Sequence, residues 1–162
     1  MLRPGLILAL VVLVADQATK WLILNVVVLQ EVGHVPLLAL GPVGLDLTMV
    51  WNRGVTFGML AGDQAWTQIG LGVLALVIAG FLLRWMARAE NLLTALALGA
   101  VVGGAVGTVI DRLRFGAVMD FLDAYAGGWH WYVFNIADAG IVLGVCALVG
   151  DALFRPSAGG KG

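Results

Sequence analysis

Residues 92–113 read LLTALALGAVVGGAVGTVIDRL, and this stretch decides the fold class. It is apolar over a length that lets a helix cross about 30 Å of hydrocarbon. Asp111 and Arg112 bring charge to one end of it. Its small residues recur at spacings typical of close helix packing: Gly99, Gly103, Gly104 and Gly107. The stretch therefore predicts a membrane-spanning helix.

Three further apolar segments of similar length lie at about 6–29, 65–86 and 133–154. The composition agrees, because 61% of the residues are hydrophobic and 12% are charged, whereas soluble domains have about 45–50% and about 25%. We therefore predict an all-α membrane protein with four transmembrane helices. They form one membrane-embedded domain over residues 1–162, with a flexible tail at 156–162.

The first segment follows Arg3 as a secretory signal would, but it continues past Asp16 and Lys20 without a convincing cleavage site. We expect it to remain attached as an anchor. An even number of spans places both termini on one side, which the positive-inside rule predicts to be cytoplasmic. The basic residues on that side are Arg3, Arg84, Arg88, Arg155 and Lys161.

Two longer connections, about 30–64 and 114–132, face the opposite side, where acidic residues outnumber basic ones. The first contains Leu45–Trp51, an alternating β-prone run, then the turn signal Asn52-Arg53-Gly54 and the run Val55–Phe57. The sequence therefore predicts a small extracytoplasmic β-sheet.

Several classes of function are excluded by composition. A net charge of -1 with scattered basic residues argues against nucleic-acid binding. The single cysteine, Cys146, lies in an apolar run and is interpreted as buried filler. His34 and His130 lie in different loops without a companion at ligand spacing. We expect neither a metal nor a cofactor.

Charged groups inside a span cost about 2.5–3.5 kcal/mol each on insertion scales, so those that remain require an explanation. Asp16 and Lys20 are four residues apart and can pair on one helix face, in a structural or a functional role. Arg112 can extend to the interface while Asp111 pairs with it or with Arg114, or both can line a site.

Two further aspartates stand near the outer ends of the apolar segments. Asp120 follows Val118-Met119 and precedes Phe121, an apolar frame that predicts partial burial near the membrane surface. Asp138 follows Asn135 by three residues, so the two share a helix face, although Asn135 can also be a simple N-cap. Two carboxyls at one site can share a proton, as in aspartic proteases. The near absence of serine favours such a mechanism over a covalent one.

Taken in order, five motifs resemble lipoprotein signal peptidase, also called signal peptidase II. They are Asp16-Gln-Ala-Thr-Lys20, Asn52-Arg-Gly-Val-Thr-Phe-Gly58, Gly103-Gly104 to Asp111-Arg112, Val118-Met-Asp-Phe121 and Phe134-Asn-Ile-Ala-Asp138. The resemblance covers nearly the whole chain. It implies a bacterial inner-membrane enzyme that removes the signal peptide from prolipoproteins, cutting before the diacylglyceryl-modified cysteine.

The resemblance also implies roles for individual residues. Asp120 and Asp138 match the two catalytic aspartates. Site-lining residues that position the substrate are Asn52, Gly54, Asp111, Arg112 and Asn135. Structural support comes from Asp16, Lys20 and Thr108, the last standing where the family usually has asparagine. The family's outer face carries a small sheet and a short amphipathic helix, so the site is expected near that face.

Two other functions use the same residues. A proton-coupled carrier would relay protons through Asp16, Lys20 and Asp138, but it predicts polar residues in the inner halves of the helices as well. A structural subunit would use the polar clusters as interhelical contacts. The peptidase interpretation implies a lipid-modified prolipoprotein substrate and membrane lipids as partners, and we expect a monomer.

Overall fold

The computed structural model describes residues 1–54 and 65–154. In this part of the chain, four helical segments are long and apolar enough to cross a membrane: Leu2–Val27, Trp66–Ala87, Leu92–Phe115 and Ile136–Phe154. The predicted fold class is therefore confirmed. The run Val55–Phe57, Arg155, Lys161 and the tail at 156–162 lie outside the described residues.

In chain order the described elements are α1 (Leu2–Leu22), a π-helical turn (Ile23–Val27), α2 (Leu29–Val32), β1 (His34–Leu40), β2 (Val43–Asn52), α3 (Ala65–Ala87), α4 (Leu92–Phe115), β3 (Val118–Ala126), β4 (Trp129–His130) and α5 (Ile136–Phe154). Helix α4 is central and packs against α1, α3 and α5. In its apolar window 72% of the residues are buried, against 11–17% in the other three spans. The apolar side chains of those three spans mostly face outward. The stretch that decides the fold class is thus also the centre of the helix bundle.

The glycines of α4 explain how closely its neighbours approach. A Cβ atom on Gly99 would collide with the backbone of Gly5, and one on Gly103 would collide with the backbone of Ala9. On the opposite side, a Cβ on Gly104 would meet the carbonyl oxygen of α5 residue Ala137. Backbone-to-backbone packing of this kind is the main attraction available to helices in lipid. The close packing that the glycine spacing predicts is present.

The four strands form one antiparallel sheet in the order β1-β2-β3-β4. The sequence predicts strands only in the first outer connection, whereas β3 and β4 come from the second. The sequence predicts partial burial around Asp120 but no strand there, because apolar and polar residues do not alternate in this stretch. The lack of alternation has a structural reason, since residues on both faces of β3 are buried. The sheet packs on the C-terminal end of α1 through Ile23, Leu29, Leu47, Met119 and Phe121.

Helix α1 continues at its C-terminal end into a π-helical turn. Val28 follows with φ of 51°, a left-handed conformation that is uncommon for a β-branched residue. The next residue, Leu29, is fully buried beneath the sheet and anchors this turn. The first span therefore ends at Val27, two residues earlier than the sequence predicts.

A polar cluster joins α4 and α5 at the end of the bundle away from the sheet. Asn91 caps α4 by accepting the backbone N–H of Thr94 at 2.7 Å, and the Thr94 hydroxyl donates to Asp151 on α5 at 3.0 Å. Asp151 has no predicted role from the sequence. The cluster joins the ends of two helices, where cap groups satisfy free backbone N–H groups.

Cys146 differs from its interpretation as buried filler, because its side chain is exposed on α5. The residue lies on a helix whose span is only 17% buried and whose outward side chains are mostly apolar. A thiol is apolar enough for such a lipid-facing position.

Candidate active site

Asp120 lies on β3 at the end of the sheet nearest the bundle and is 2% exposed. Its Oδ2 atom accepts a hydrogen bond from Asn52 Nδ2 at 3.1 Å, and its Oδ1 accepts one from Asn135 Nδ2 at 2.6 Å. Asn52 reaches the carboxyl because it pairs with Val118, diagonally across the β2–β3 ladder from Asp120. Two side-chain amides thus fix the plane of a buried carboxyl group.

Asp138 is the third residue of α5 and forms a reciprocal cap with Asn135. The backbone N–H of Asp138 donates to Asn135 Oδ1 at 2.9 Å, and the backbone N–H of Asn135 donates to Asp138 Oδ2 at 3.3 Å. The N-cap role considered for Asn135 is therefore present, together with its bond to Asp120. The sequence predicts that this helix begins at 133. Because of the cap, α5 begins at Ile136 instead.

Pairing of the segment before α5 with β3 brings Asn135 beside Asp120. Phe134 and Leu122 form an isolated antiparallel bridge, with N···O distances of 2.8 and 2.9 Å between their backbones. Asn135, which is fully buried, also donates from Nδ2 to the Met119 carbonyl oxygen at 3.2 Å. One side chain therefore contacts both the strand that carries Asp120 and the helix turn that carries Asp138.

The electrostatics of Asp120 reflect this placement. The pKa of Asp120 is raised from 3.8 to about 7, chiefly by burial and also by the neighbouring charge of Asp138. The hydrogen bonds from Asn52 and Asn135 and the charge of Lys20 act against this rise. At neutral pH the Asp120 carboxyl therefore exchanges a proton readily.

A buried ion cluster, Asp16, Lys20 and Asp111, lies beside these carboxyls. Lys20 Nζ is 2.8 Å from Asp16 Oδ2 and 2.6 Å from Asp111 Oδ2, and none of the three residues is more than 2% exposed. The pair predicted within α1 is present, but Asp111 pairs with Lys20 rather than with Arg112 or Arg114. A cation on α1 thus joins that helix to α4.

The ion cluster also holds the two elements that carry Asp120 and Asp138. Asp111 Oδ2 accepts the backbone N–H of Met119 at 3.1 Å, directly before Asp120 in β3. Asp16 Oδ1 accepts the backbone N–H of Ala137 at 3.0 Å, directly before Asp138 in α5. Each carboxylate of the cluster therefore positions the neighbour of one candidate catalytic residue.

Two glutamines that received no role from the sequence complete these networks. Gln17 Nε2 donates to Asp16 Oδ2 at 3.1 Å and to Asp111 Oδ1 at 3.0 Å. Gln68 on α3 is 7% exposed, and its Nε2 donates to the Arg53 carbonyl oxygen at 2.5 Å. The sequence does indicate that both glutamines are hydrogen-bonded inside the protein, because an amide side chain within an apolar span is costly without partners.

Arg112 connects α4 to the loop after β2. Its Nη2 donates to the Gly54 carbonyl oxygen at 2.7 Å, and its Nη1 donates to Gln68 Oε1. The Gly54 backbone N–H in turn donates to Asn52 Oδ1 at 3.1 Å. The guanidinium is therefore directed into the protein, and the segment that follows Asn52 is held against α3 and α4.

Thr108 does not reach across to another element. Its hydroxyl donates to the Ala105 carbonyl oxygen of its own helix at 2.9 Å. It nevertheless lines a cavity of about 210 Å³ that is also bordered by Asn52, Gly54, Arg112, Val118, Asp138 and four aliphatic residues of α3. Most of the predicted site residues thus converge on one cavity or on the carboxyls beside it.

The histidines lie in the sheet rather than in loops. His34 Nε2 is 3.5 Å from Asp46 Oδ2, and His130 Nδ1 is 2.9 Å from Asp123 Oδ1. Within residues 1–54 and 65–154, no three or more His, Cys, Asp or Glu side chains are grouped so that they could hold a metal ion. The polar groups that line the described cavity are carboxyl, amide, hydroxyl and guanidinium groups.

The family model for signal peptidase (SPase) II matches residues 8–154. The chain belongs to the signal peptidase II family. This match includes all of the candidate site residues, so the family proposed from five motifs is confirmed. Membership in the signal peptidase II family makes the chain a peptidase, and its four spans make it a multi-pass bacterial membrane protein.

Individual relatives agree with the signal peptidase II assignment. A lipoprotein signal peptidase of Methylobacterium sp. (strain 4-46) is 44% identical over 96% of this chain and 99% of its own length. One from Burkholderia mallei (strain SAVP1) is 40% identical over 95% and 90%. A bacterial membrane enzyme solved by the in meso method at 2.3 Å resolution is 26% identical, with a TM-score of 0.76 over 97% of this chain and 94% of its own.

Proposed function

We propose that the chain is an aspartyl endopeptidase that removes the signal peptide from diacylglyceryl-modified prolipoproteins and cuts before the lipidated cysteine. The observation that carries this proposal is the placement of Asn135, which contacts Asp120 through its side chain and Asp138 through its cap. Two carboxyls that contact one residue, here Asp120 through the Asn135 side chain and Asp138 through the Asn135 backbone N–H, can act as a proton-sharing pair.

In the proposed reaction, Asp120 begins with the proton, in agreement with its raised pKa of about 7. Asp138 takes a proton from water while the water oxygen attacks the scissile carbonyl carbon, and Asp120 donates its proton to the carbonyl oxygen. Asp138 then protonates the leaving amine as the C–N bond breaks, and the hydroxyl proton returns to Asp120. Both carboxyls finish in their starting states.

The surrounding residues are proposed to position these groups and the substrate. Asn52 and Asn135 hold the Asp120 carboxyl, while Asp16 and Asp111 fix the backbone beside each member of the pair. Arg112 holds the Gly54 carbonyl, so that the loop forms one wall of the cavity. Thr108 lines the same cavity, and Lys20 neutralises the carboxylates beneath it.

We propose that both termini face the cytoplasm and that the site lies near the outer face. Arg84 lies in the last turn of α3 and Arg88 follows directly after it, at the end of α3 away from the sheet, and Arg3 is at the start of α1 on that same side. The sheet, and with it Asp120, lies at the other end. We also propose that the protein acts as a monomer.

The proposal is tested by incubating purified protein with a diacylglyceryl-modified precursor and following the loss of the signal peptide on a gel. Cleavage is expected between the signal peptide and the modified cysteine, and it should continue in a chelator. Mass spectrometry of the product locates the cut. A folded protein that leaves the precursor intact would instead favour a carrier or a structural subunit.

Activity is expected to fall as the pH rises through about 7, because the reaction starts with the Asp120 proton in place. Replacing Asn52 by alanine removes a hydrogen bond that lowers the pKa of Asp120. The basic limb of kcat/KM against pH should therefore move to higher pH. Asn25→Ala, at an exposed asparagine bonded only to the Trp21 carbonyl, serves as the control. An unmoved limb in Asn52→Ala would argue that another group sets it.

A further inference from the structure

Asp138 borders two separate hollows. One is the 210 Å³ cavity towards α3, which also contains the side chains of Asn52, Thr108 and Arg112. The other is a groove of about 270 Å³ on the outward side of α5, lined by Trp131, Tyr132, Phe134, Ala139, Val142 and Leu143 together with Asp138. The candidate catalytic carboxyl thus stands between a polar-walled cavity and an apolar groove.

The groove is formed by a chain of aromatic rings above a strip of α5. Trp131 and Tyr132 have ring centroids 5.6 Å apart, and Tyr132 and Phe134 have centroids 6.2 Å apart. Below them, Val142 is 48% exposed and Leu143 is 68% exposed. Apart from Asp138, these walls are aromatic rings and aliphatic side chains, so they suit a ligand that needs few hydrogen bonds.

The substrate of the proposed function contains two apolar bodies next to the scissile bond. The signal peptide leaves on one side of the bond, and the acyl chains leave from the cysteine on the other. Both descend into the bilayer, so they need separate paths past the carboxyls. A peptide backbone requires hydrogen-bonding partners, which the cavity offers through Asn52 and Arg112, whereas acyl chains require only apolar contact.

We propose that the groove of Trp131, Tyr132, Phe134, Val142 and Leu143 receives an acyl chain of the diacylglyceryl group, while the peptide occupies the cavity on the α3 side of Asp138. This inference rests on the proposed function and assigns the lipid-recognition subsite within it. The groove then contributes to selection of the lipidated substrate through close packing against the chain, because the chain leaves lipid rather than water and the hydrophobic effect adds little.

The test compares two synthetic precursors with the same peptide, one carrying a dipalmitoylglyceryl cysteine and one a diacetylglyceryl cysteine, with the protein in nanodiscs. Wild-type protein should prefer the long-chain precursor in kcat/KM. Val142→Trp fills the groove and should lower kcat/KM for the long-chain precursor severalfold, because the indole occupies the space in which the chain would pack. The short-chain precursor should be cleaved as by wild type, which also shows that the variant is folded.

Val149→Trp is the matched control, since Val149 lies two turns further along α5, is 52% exposed and does not line the groove. It should leave the chain-length preference unchanged. Trp131→Ala removes a wall and should reduce the preference severalfold. Equal effects of Val142→Trp on both precursors, or none on either, would overturn the acyl-chain assignment. Failure of wild-type protein to cleave either precursor would instead remove the proposed function itself.

Discussion

Asp120→Asn and Asp138→Asn should each lower cleavage of a lipidated precursor by about a hundredfold to ten-thousandfold, the range expected when a general acid or base is removed. Asparagine keeps the shape of each side chain but can neither release nor accept the reacting proton. In Asp120→Asn, one of the two amides that now donate to the carboxyl also loses an acceptor. Single-turnover cleavage with excess enzyme measures the loss directly.

Asp123→Asn is the matched control for these variants. Asp123 lies on the same strand as Asp120 and is 7% exposed, but its carboxylate contacts His130 and does not line the cavity. It should retain activity close to that of wild type. Folding of all three variants is checked by thermal unfolding in detergent. A purified Asp120→Asn or Asp138→Asn protein that cleaves at the wild-type rate would remove that residue from the proposed pair.

Lys20→Met should be the most destabilising substitution in the ion cluster. It leaves the buried carboxylates of Asp16 and Asp111 without the cation that lies 2.8 and 2.6 Å from them. Removing one partner of a buried ion pair costs about 3–5 kcal/mol, because the remaining charge is uncompensated. The midpoint of thermal unfolding should fall accordingly, and cleavage per folded molecule should fall less.

A double variant separates lost charge compensation from lost packing. Adding Asp111→Asn to Lys20→Met removes one of the two uncompensated charges and should recover part of the lost stability, so the two substitutions should be non-additive. Arg3→Gln, at an exposed position near the start of α1, is the control and should unfold like wild type. Wild-type unfolding of Lys20→Met would show that the cluster contributes little to stability.

Local patterns predict the membrane part of this fold well. An apolar segment long enough to cross the bilayer leaves little choice except a helix, since backbone groups in lipid need internal partners. The three-residue spacing of Asn135 and Asp138 likewise predicts a shared helix face, and the observed cap uses that spacing. In each case the pattern and the structure that it specifies lie within a few residues of each other.

Features that depend on distant residues could not be predicted in the same way. The sequence offers Asp111 either a neighbouring arginine as partner or a place in the site, and neither alternative predicts its partner Lys20, which lies on another helix. Gln68 gave no signal beyond its own polarity, because its partners, Arg53 and Arg112, are brought to it by the fold. The catalytic roles of Asp120 and Asp138 remain proposals, for which the family and the contacts of Asn135 provide the motivation.

The two ion pairs of Lys20, with Asp16 and with Asp111, affect how the chain can insert into the membrane during synthesis. When α1 enters the bilayer ahead of the later helices, Asp16 already neutralises Lys20 from one turn away, so the nascent segment carries no net charge at that depth. Asp111 arrives only with α4, after the intervening span α3 has been synthesised, and it joins a cation that is already in place. The first segment can thus be released sideways from the translocation machinery before its final neighbour exists.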